Sequence, residues 1–235
     1  MSLAAKSLLS KITGSALDLI FPMSCAGCGK EGDLLCPTCL PNLPRLTSPF
    51  CQRCGAPRHQ SPCRWCEERP LNIDGIRGPF LFEGSIRNAV HSFKYRGVRA
   101  AAAQLGDLLS IYQQDHPVPG DVILPVPLHS RQLRKRGYNQ SALLARRLAK
   151  SNHLPFDDSL LMRIKDTRPQ VATTSRRQRI DNLSDSYKCR ASAPGWAIIL
   201  VDDVATTGST ISACAAALKD SGASSVWGLI LARET

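Results

Sequence analysis

Acidic and aromatic residues are both scarce in this chain. Nineteen Asp and Glu stand against 30 Lys and Arg, and Phe, Trp and Tyr together make up 6% of its 235 residues. The shortage of acids leaves a formal charge of +11, which points to anionic partners: phosphates, pyrophosphate or a nucleic-acid backbone. The shortage of aromatics argues against a surface that holds bases mainly by stacking. No apolar run approaches the length of about 18 residues that a membrane-spanning helix needs. Nor is there an export signal, because Lys6 and Lys11 interrupt the first apolar stretch and no A-x-A cleavage site follows. Residues 1–22 read instead as an amphipathic helix, with Leu8, Ile12, Leu19 and Phe21 on its docking face.

What is abundant is cysteine, ten in all, and eight of them form four C-x-x-C pairs. Cys25, Cys28, Cys36 and Cys39 are echoed by Cys51, Cys54, Cys63 and Cys66, at an offset of 26 residues for the first two positions and 27 for the last two. In each copy the first pair is followed by glycine (CAGCG, CQRCG), as in a zinc knuckle, where the turn points backbone amides at thiolates. Without an export signal the spacing favours metal over disulfides, and a cytoplasmic location. Segments this small cannot bury enough apolar surface to fold alone, so two structural Zn²⁺ ions act as their cores. Sequential and interleaved ligand pairings both fit the spacing. Cys189 and Cys214 stand apart and read as ordinary buried or half-buried thiols.

Beyond residue 70 the pattern changes to alternating strands and helices. Extended structure is expected at Ile76–Phe82, Asp121–Val126, Ala197–Val201 and Ser225–Leu231, and helices at Ile86–Tyr95, Ala100–Gln114, Asn139–Ser151 and Thr210–Ser221. Such alternation argues for an α/β fold, a parallel sheet flanked by helices on both faces. The expected organisation is an N-terminal helix (1–22), a double zinc ribbon (23–70) and the α/β domain (71–235). Charge is concentrated in residues 131–190, where 15 Lys and Arg meet five Asp.

Residues 198–210, IILVDDVATTGST, carry the chemistry. Ligands of an open parallel sheet sit beyond the carboxyl ends of its strands, where Asp202 and Asp203 are expected. A loop from Ala205 to Thr210 then enters a helix whose first amides are unpaired and carry partial positive charge. Gly208 permits the turn, and Thr206, Thr207, Ser209 and Thr210 add hydroxyl donors. The loop suits a phosphate monoester, which two carboxylates would repel. The carboxylates suit vicinal hydroxyls, as on a ribose, or Mg²⁺ held through water.

This stretch resembles the phosphoribosyl pyrophosphate (PRPP) signature of type I phosphoribosyltransferases, with Ala205 in place of a larger aliphatic residue. The C-x-x-C ribbons, FKYRG at 93–97, PVPLH at 125–129, RGYNQ at 136–140, Thr167, Gln170, Arg179, Asn182 and the terminal LAR at 231–233 extend the likeness. Together they resemble the ComF/GntX family of competence-associated, phosphoribosyltransferase-like proteins. The resemblance implies a type I phosphoribosyltransferase-like sheet. It also implies that Asp202 and Asp203 contact ribose hydroxyls and that Thr206–Thr210 cradle the 5-phosphate. Pyrophosphate would fall to a second loop after DVILPVP, served by Arg131, Arg134, Lys135 and Arg136, with Lys94 reaching into the same pocket. Purine-type enzymes of that superfamily carry an acidic general base where Thr206 stands, and threonine cannot serve as one, so a hypoxanthine- or guanine-like acceptor is disfavoured.

Three functions stay open at this level. The chain could transfer phosphoribosyl from PRPP to an acceptor, bind PRPP with Mg²⁺ as a signal without turnover, or bind single-stranded DNA within a DNA-uptake machinery through the ribbons and the 131–190 stretch, with Arg176, Arg177 and Arg179 as contacts.

Overall fold

The two apolar runs nearest the C-terminus pair with each other in the middle of a parallel sheet. The structure, a computed structural model, describes residues 23–57, 63–68, 70–95, 101–165 and 185–234. The helix expected over 1–22 lies outside the described residues, as do Arg96, Thr167, Gln170, Arg176, Arg177, Arg179 and Asn182. In chain order the elements are α1 (Arg64–Glu68), β1 (Gly75–Arg77), β2 (Phe80–Leu81), α2 (Gly84–Tyr95), α3 (Ala101–Asp115), β3 (Val122–Pro125) and α4 (Ser130–Arg136). They continue with α5 (Gln140–Asn152), β4 (Leu161–Arg163), β5 (Tyr187–Cys189), β6 (Ala197–Ala205), α6 (Ser209–Asp220) and β7 (Ser225–Arg233).

The main sheet runs β1–β7–β6–β3, every pair parallel, with β2 continuing along the same edge of β7 as β1. Alternate residues of each strand face opposite layers, so an apolar run buries both faces. Ile123, Ile199, Val201, Leu229 and Leu231 join a core with α2, α3 and α5. Val122, Leu124, Ile198, Leu200, Val226 and Ile230 join a second core with α6 and the antiparallel β4–β5 pair. Helices α3 and α5 pack closely because position 106 is glycine: a Cβ there would lie 2.7 Å from Cβ and Cγ of Arg147. Arg147 in turn makes a two-pronged pair with Asp107, at 2.6 and 2.9 Å.

The strand expected at Ala197–Val201 runs four residues further, to Ala205, because β7 keeps pairing beside it, Val204 against Ala232 and Ala205 against Arg233. Asp202 and Asp203 therefore lie inside β6, near its carboxyl end, not past it. The segment after DVILPVP was expected to be a loop. It holds the short helix α4, capped by His129, whose Nδ1 accepts from the Arg131 amide at 3.3 Å, and closed by Gly137 in the left-handed region (φ 78).

Both ribbons are packed onto the α/β body. In the first, Leu34 and Leu35 enter the core beside α2 and α3, and fully burying a leucine contributes roughly 1.5–3 kcal/mol. The Gln104 side chain of α3 grips the Leu35 main chain from both sides, accepting from its N–H at 2.8 Å and donating to its C=O at 2.7 Å. The second ribbon lies on β1: the Ile76 amide donates to Arg53 O at 2.9 Å, and Arg77 reaches Gln52 O at 2.7 Å while its guanidinium covers the Phe50 and Trp227 rings.

Candidate functional site

Eight cysteine sulfurs gather into two sets of four, Cys25, Cys28, Cys36 and Cys39 in one and Cys51, Cys54, Cys63 and Cys66 in the other, with the ligand atoms of each set within 4.8 Å of one another. Pairing is therefore sequential. Three sulfur pairs stand close, Cys28–Cys36 at 3.7 Å, Cys51–Cys66 at 3.6 Å and Cys54–Cys63 at 3.8 Å. A disulfide would need about 2.05 Å. A tetrahedron with Zn–S bonds of about 2.3 Å has edges of about 3.8 Å, which these three pairs match. Amides of Gly27 and Cys36 donate to Cys25 Sγ at 3.4 and 3.3 Å, as a thiolate in a knuckle requires. The residues present fit two structural zinc ions.

The candidate anion loop follows β6. Gly208 sits at the N-cap of α6 with φ 76, and a side chain there would also press within 3.1 Å of Ile76 Cδ1, so glycine is needed twice over. Having no side chain, it cannot cap α6, and the amides of Thr210 and Ile211 in the first turn stay available to an anion. Thr207 Oγ1 and Ser209 Oγ share a hydrogen bond at 2.7 Å, and the Ser209 amide donates to Thr207 Oγ1 at 3.3 Å. Thr206 is exposed, Thr207, Ser209 and Thr210 are half-buried, and Ala205 is buried.

The two carboxylates have separate partners. Asp202 Oδ1 accepts from Ser141 Oγ, in the first turn of α5, at 2.7 Å and from the Asp203 amide at 2.9 Å. Asp203, 2% exposed, pairs through Oδ1 with Lys94 Nζ of α2 at 2.9 Å, while its Oδ2 is buried with no donor. The RGYNQ segment supports both. Tyr138 donates its hydroxyl to the Phe93 carbonyl, fixing the end of α2 that carries Lys94. Asn139 caps α5, accepting from the Ser141 amide at 3.1 Å, and donates to Val126 O at 3.0 Å. Gln140 accepts from Arg136.

Burial and the neighbouring Asp203 carboxylate push the Asp202 carboxyl up to about 7, against the pull of the Ser141 hydroxyl and Lys94. A carboxyl raised on folding holds its proton in the native state at pH values where the unfolded chain has lost it. That contribution is present at low pH and fades as pH rises through about 7. Asp202→Asn, which imitates the protonated form, is therefore expected to gain on the wild type in melting temperature as pH rises from about 5.5 to 8. Parallel thermal melts across that range check it, and a difference that stays constant counts against the shift.

Of the predicted pyrophosphate ligands, the structure brings only Lys94 to the carboxylates. Arg131, Arg134 and Lys135 are exposed along α4, and Arg136 is half-buried against Gln140. The sequence does not single out Ser141, and it shows Tyr138 only as part of RGYNQ. RGYNQ was legible as a motif, but nothing local says that its tyrosine holds a lysine on another helix.

Comparison with known proteins finds relatives for the ribbons and for most of the chain. The double zinc ribbon domain family matches residues 16–68. The DNA utilization protein YhgH of Salmonella typhi is 31% identical over 185 residues, covering 75% of this chain and 81% of the relative. The chain belongs to the ComF family. Other relatives include Competence protein ComFC of Bacillus subtilis, 29% identical over 201 residues (82% of this chain, 81% of that one). Competence protein F of Haemophilus influenzae is 29% identical over 194 residues (77% and 84%). Among solved structures, glutamine PRPP amidotransferase from B. subtilis aligns with 55% of this ComF-family chain and 26% of its own, at TM-score 0.40 and 18% identity. Adenine phosphoribosyltransferase from Leishmania tarentolae aligns with 63% of this chain and 60% of its own, at TM-score 0.35 and 15% identity. Among the described residues no helix is long and apolar enough to cross a membrane.

Proposed function

We propose that this ComF-family protein binds PRPP at the end of β6 and takes part in DNA utilization, with phosphoribosyl transfer as the reaction its site is suited to. The observation that carries the reading is Asp203: a buried carboxylate whose Oδ2 has no donor, beside an uncapped helix N-terminus. A lone buried acceptor of this kind calls for a hydroxyl to complete it. On ligand entry Lys94, 21% exposed, exchanges Asp203 for the pyrophosphate, and a ribose hydroxyl takes its place on the carboxylate. The loop Thr206–Thr210 holds the 5-phosphate through amides and hydroxyls. Mg²⁺, when bound through water near Asp202 and Asp203, would neutralise charge on the leaving pyrophosphate. The basic side chains of α4 supply further charge at the mouth. Thr206 offers no general base, so an acceptor must bring a nucleophile that needs little help.

A second reading draws on a cleft of about 620 Å³ between the first ribbon and α2, lined by Arg87, Asn88 and His91 among others. Together with the names of the relatives, it favours single-stranded DNA as a partner, with PRPP as a signal. One calorimetric series separates the readings. Wild type is expected to bind PRPP with Mg²⁺, and Asp203→Ala to lose at least about tenfold in affinity. Pyrophosphate release across a panel of amines and bases indicates transfer. Salt-dependent binding of a single-stranded oligonucleotide, without release, indicates the signal role. A wild type that does not bind PRPP overturns both.

A further inference from the structure

Arg233 is among the largest fully buried side chains, at 1% exposure, and its guanidinium joins two distant places in the chain. Its Nε donates to the carbonyl of Cys54, a ligand residue of the second zinc centre, at 3.0 Å. Its Nη1 donates to the carbonyls of Ala205, at 2.8 Å, and of Thr206, where the anion loop begins, and to that of Glu234 at 2.9 Å. Among the described residues these acceptors are all main-chain carbonyls, and no carboxylate pairs with it. A buried cation held in this way is costly unless its place is over-determined, and only a planar fork can serve carbonyls on two sides at once.

The consequence for the loop follows from peptide planarity. In a trans peptide the C=O of one residue and the N–H of the next point in opposite directions. Drawing the Ala205 and Thr206 carbonyls onto the guanidinium therefore turns the amides of Thr206 and Thr207 away from it, as an anion cup requires. The position of the guanidinium is set in turn by Cys54, which metal holds in place. Zinc with four thiolates carries two net negative charges and favours a cation close by.

We propose that Arg233 is a positioning residue for the anion loop, and that metal in the Cys51–Cys66 centre sets the loop through it. The ligand side of this proposal rests on the PRPP reading, and the strut does not. Hydrogen exchange of the amides in residues 204–210, read without ligand, tests it in wild type, Cys63→Ser, Arg233→Lys, their double variant and Cys28→Ser, with zinc content measured for each. Loss of the second zinc in Cys63→Ser is expected to speed loop exchange by about tenfold or more, with β3 unchanged. Arg233→Lys should do the same while keeping both zinc ions, since a point charge cannot bridge the two sites. The double variant should go no further than either single one, and Cys28→Ser should leave the loop protected. Should Cys63→Ser or Arg233→Lys not fold, Arg233→Gln with both metals bound gives the same reading. Unchanged loop exchange in a two-zinc Arg233 variant, or additive effects in the double, overturns the strut. Failure of wild type to bind PRPP overturns the proposed function and leaves the exchange result standing.

Discussion

Chelation of both zinc ions is expected to lower the melting temperature of the whole chain, well beyond a local melting of the ribbons. Structural zinc in small peptides contributes roughly 10–16 kcal/mol of apparent free energy, against about 5–15 kcal/mol for the total stability of a typical domain. The ribbons here are not independent beads. Leu34 and Leu35 belong to the same core as α2, α3 and α5, and the Gln104 side chain completes the hydrogen bonding of Leu35. Losing the first metal therefore opens the α2–α3 side of the body, and losing the second removes the cover from β1 and from Arg233. Circular dichroism melts with and without a chelator, followed by zinc re-addition, check this. A sheet transition unmoved by chelation would mean that the ribbons only rest on the surface.

The second large effect is expected at Lys94. Replacing it with methionine leaves Asp203, 2% exposed, without its cation, and its other oxygen already lacks a donor. Breaking a buried pair by removing one partner costs about 3–5 kcal/mol, most of it for the charge left behind. The double variant Lys94→Met with Asp203→Asn removes that charge and should recover most of the loss. Denaturant titrations of the two singles and the double measure the coupling, and a double no more stable than Lys94→Met would place the cost elsewhere, in the packing of the lysine stem.

The order in which these features could be read from the sequence has a physical basis. Zinc ligands are local: four residues within a short segment and a glycine after the first pair are enough to mark them, and of the two pairings the spacing allows both sets take the sequential one. The β6–loop–α6 unit is local too, since a buried apolar run, a glycine with positive φ and a helix start follow one another in the chain. Whether Asp202 and Asp203 lie within the strand or beyond it is not local, because β7 decides how far β6 remains paired. The same holds for the partners of the carboxylates. Ser141 reaches Asp202 across 61 residues, and the Arg233–Cys54 bond spans 179, distances over which no periodicity carries information. Helix α4 was missed because prolines and a basic run read as a loop, while its cap, His129, is not among the residues that usually announce a helix start.

Strand β7 has one more consequence. It lies between β6 and the broken edge strand formed by β1 and β2, and the Asp74 carboxylate meets the Val226 amide across 152 residues. Until residues 225–233 have left the ribosome, the segments on either side can only wait with their main-chain groups wet and their apolar faces uncovered. Assembly of the sheet in that sense waits for β7, and a chain halted short of it presents unpaired strand edges to its neighbours, a condition that favours aggregation.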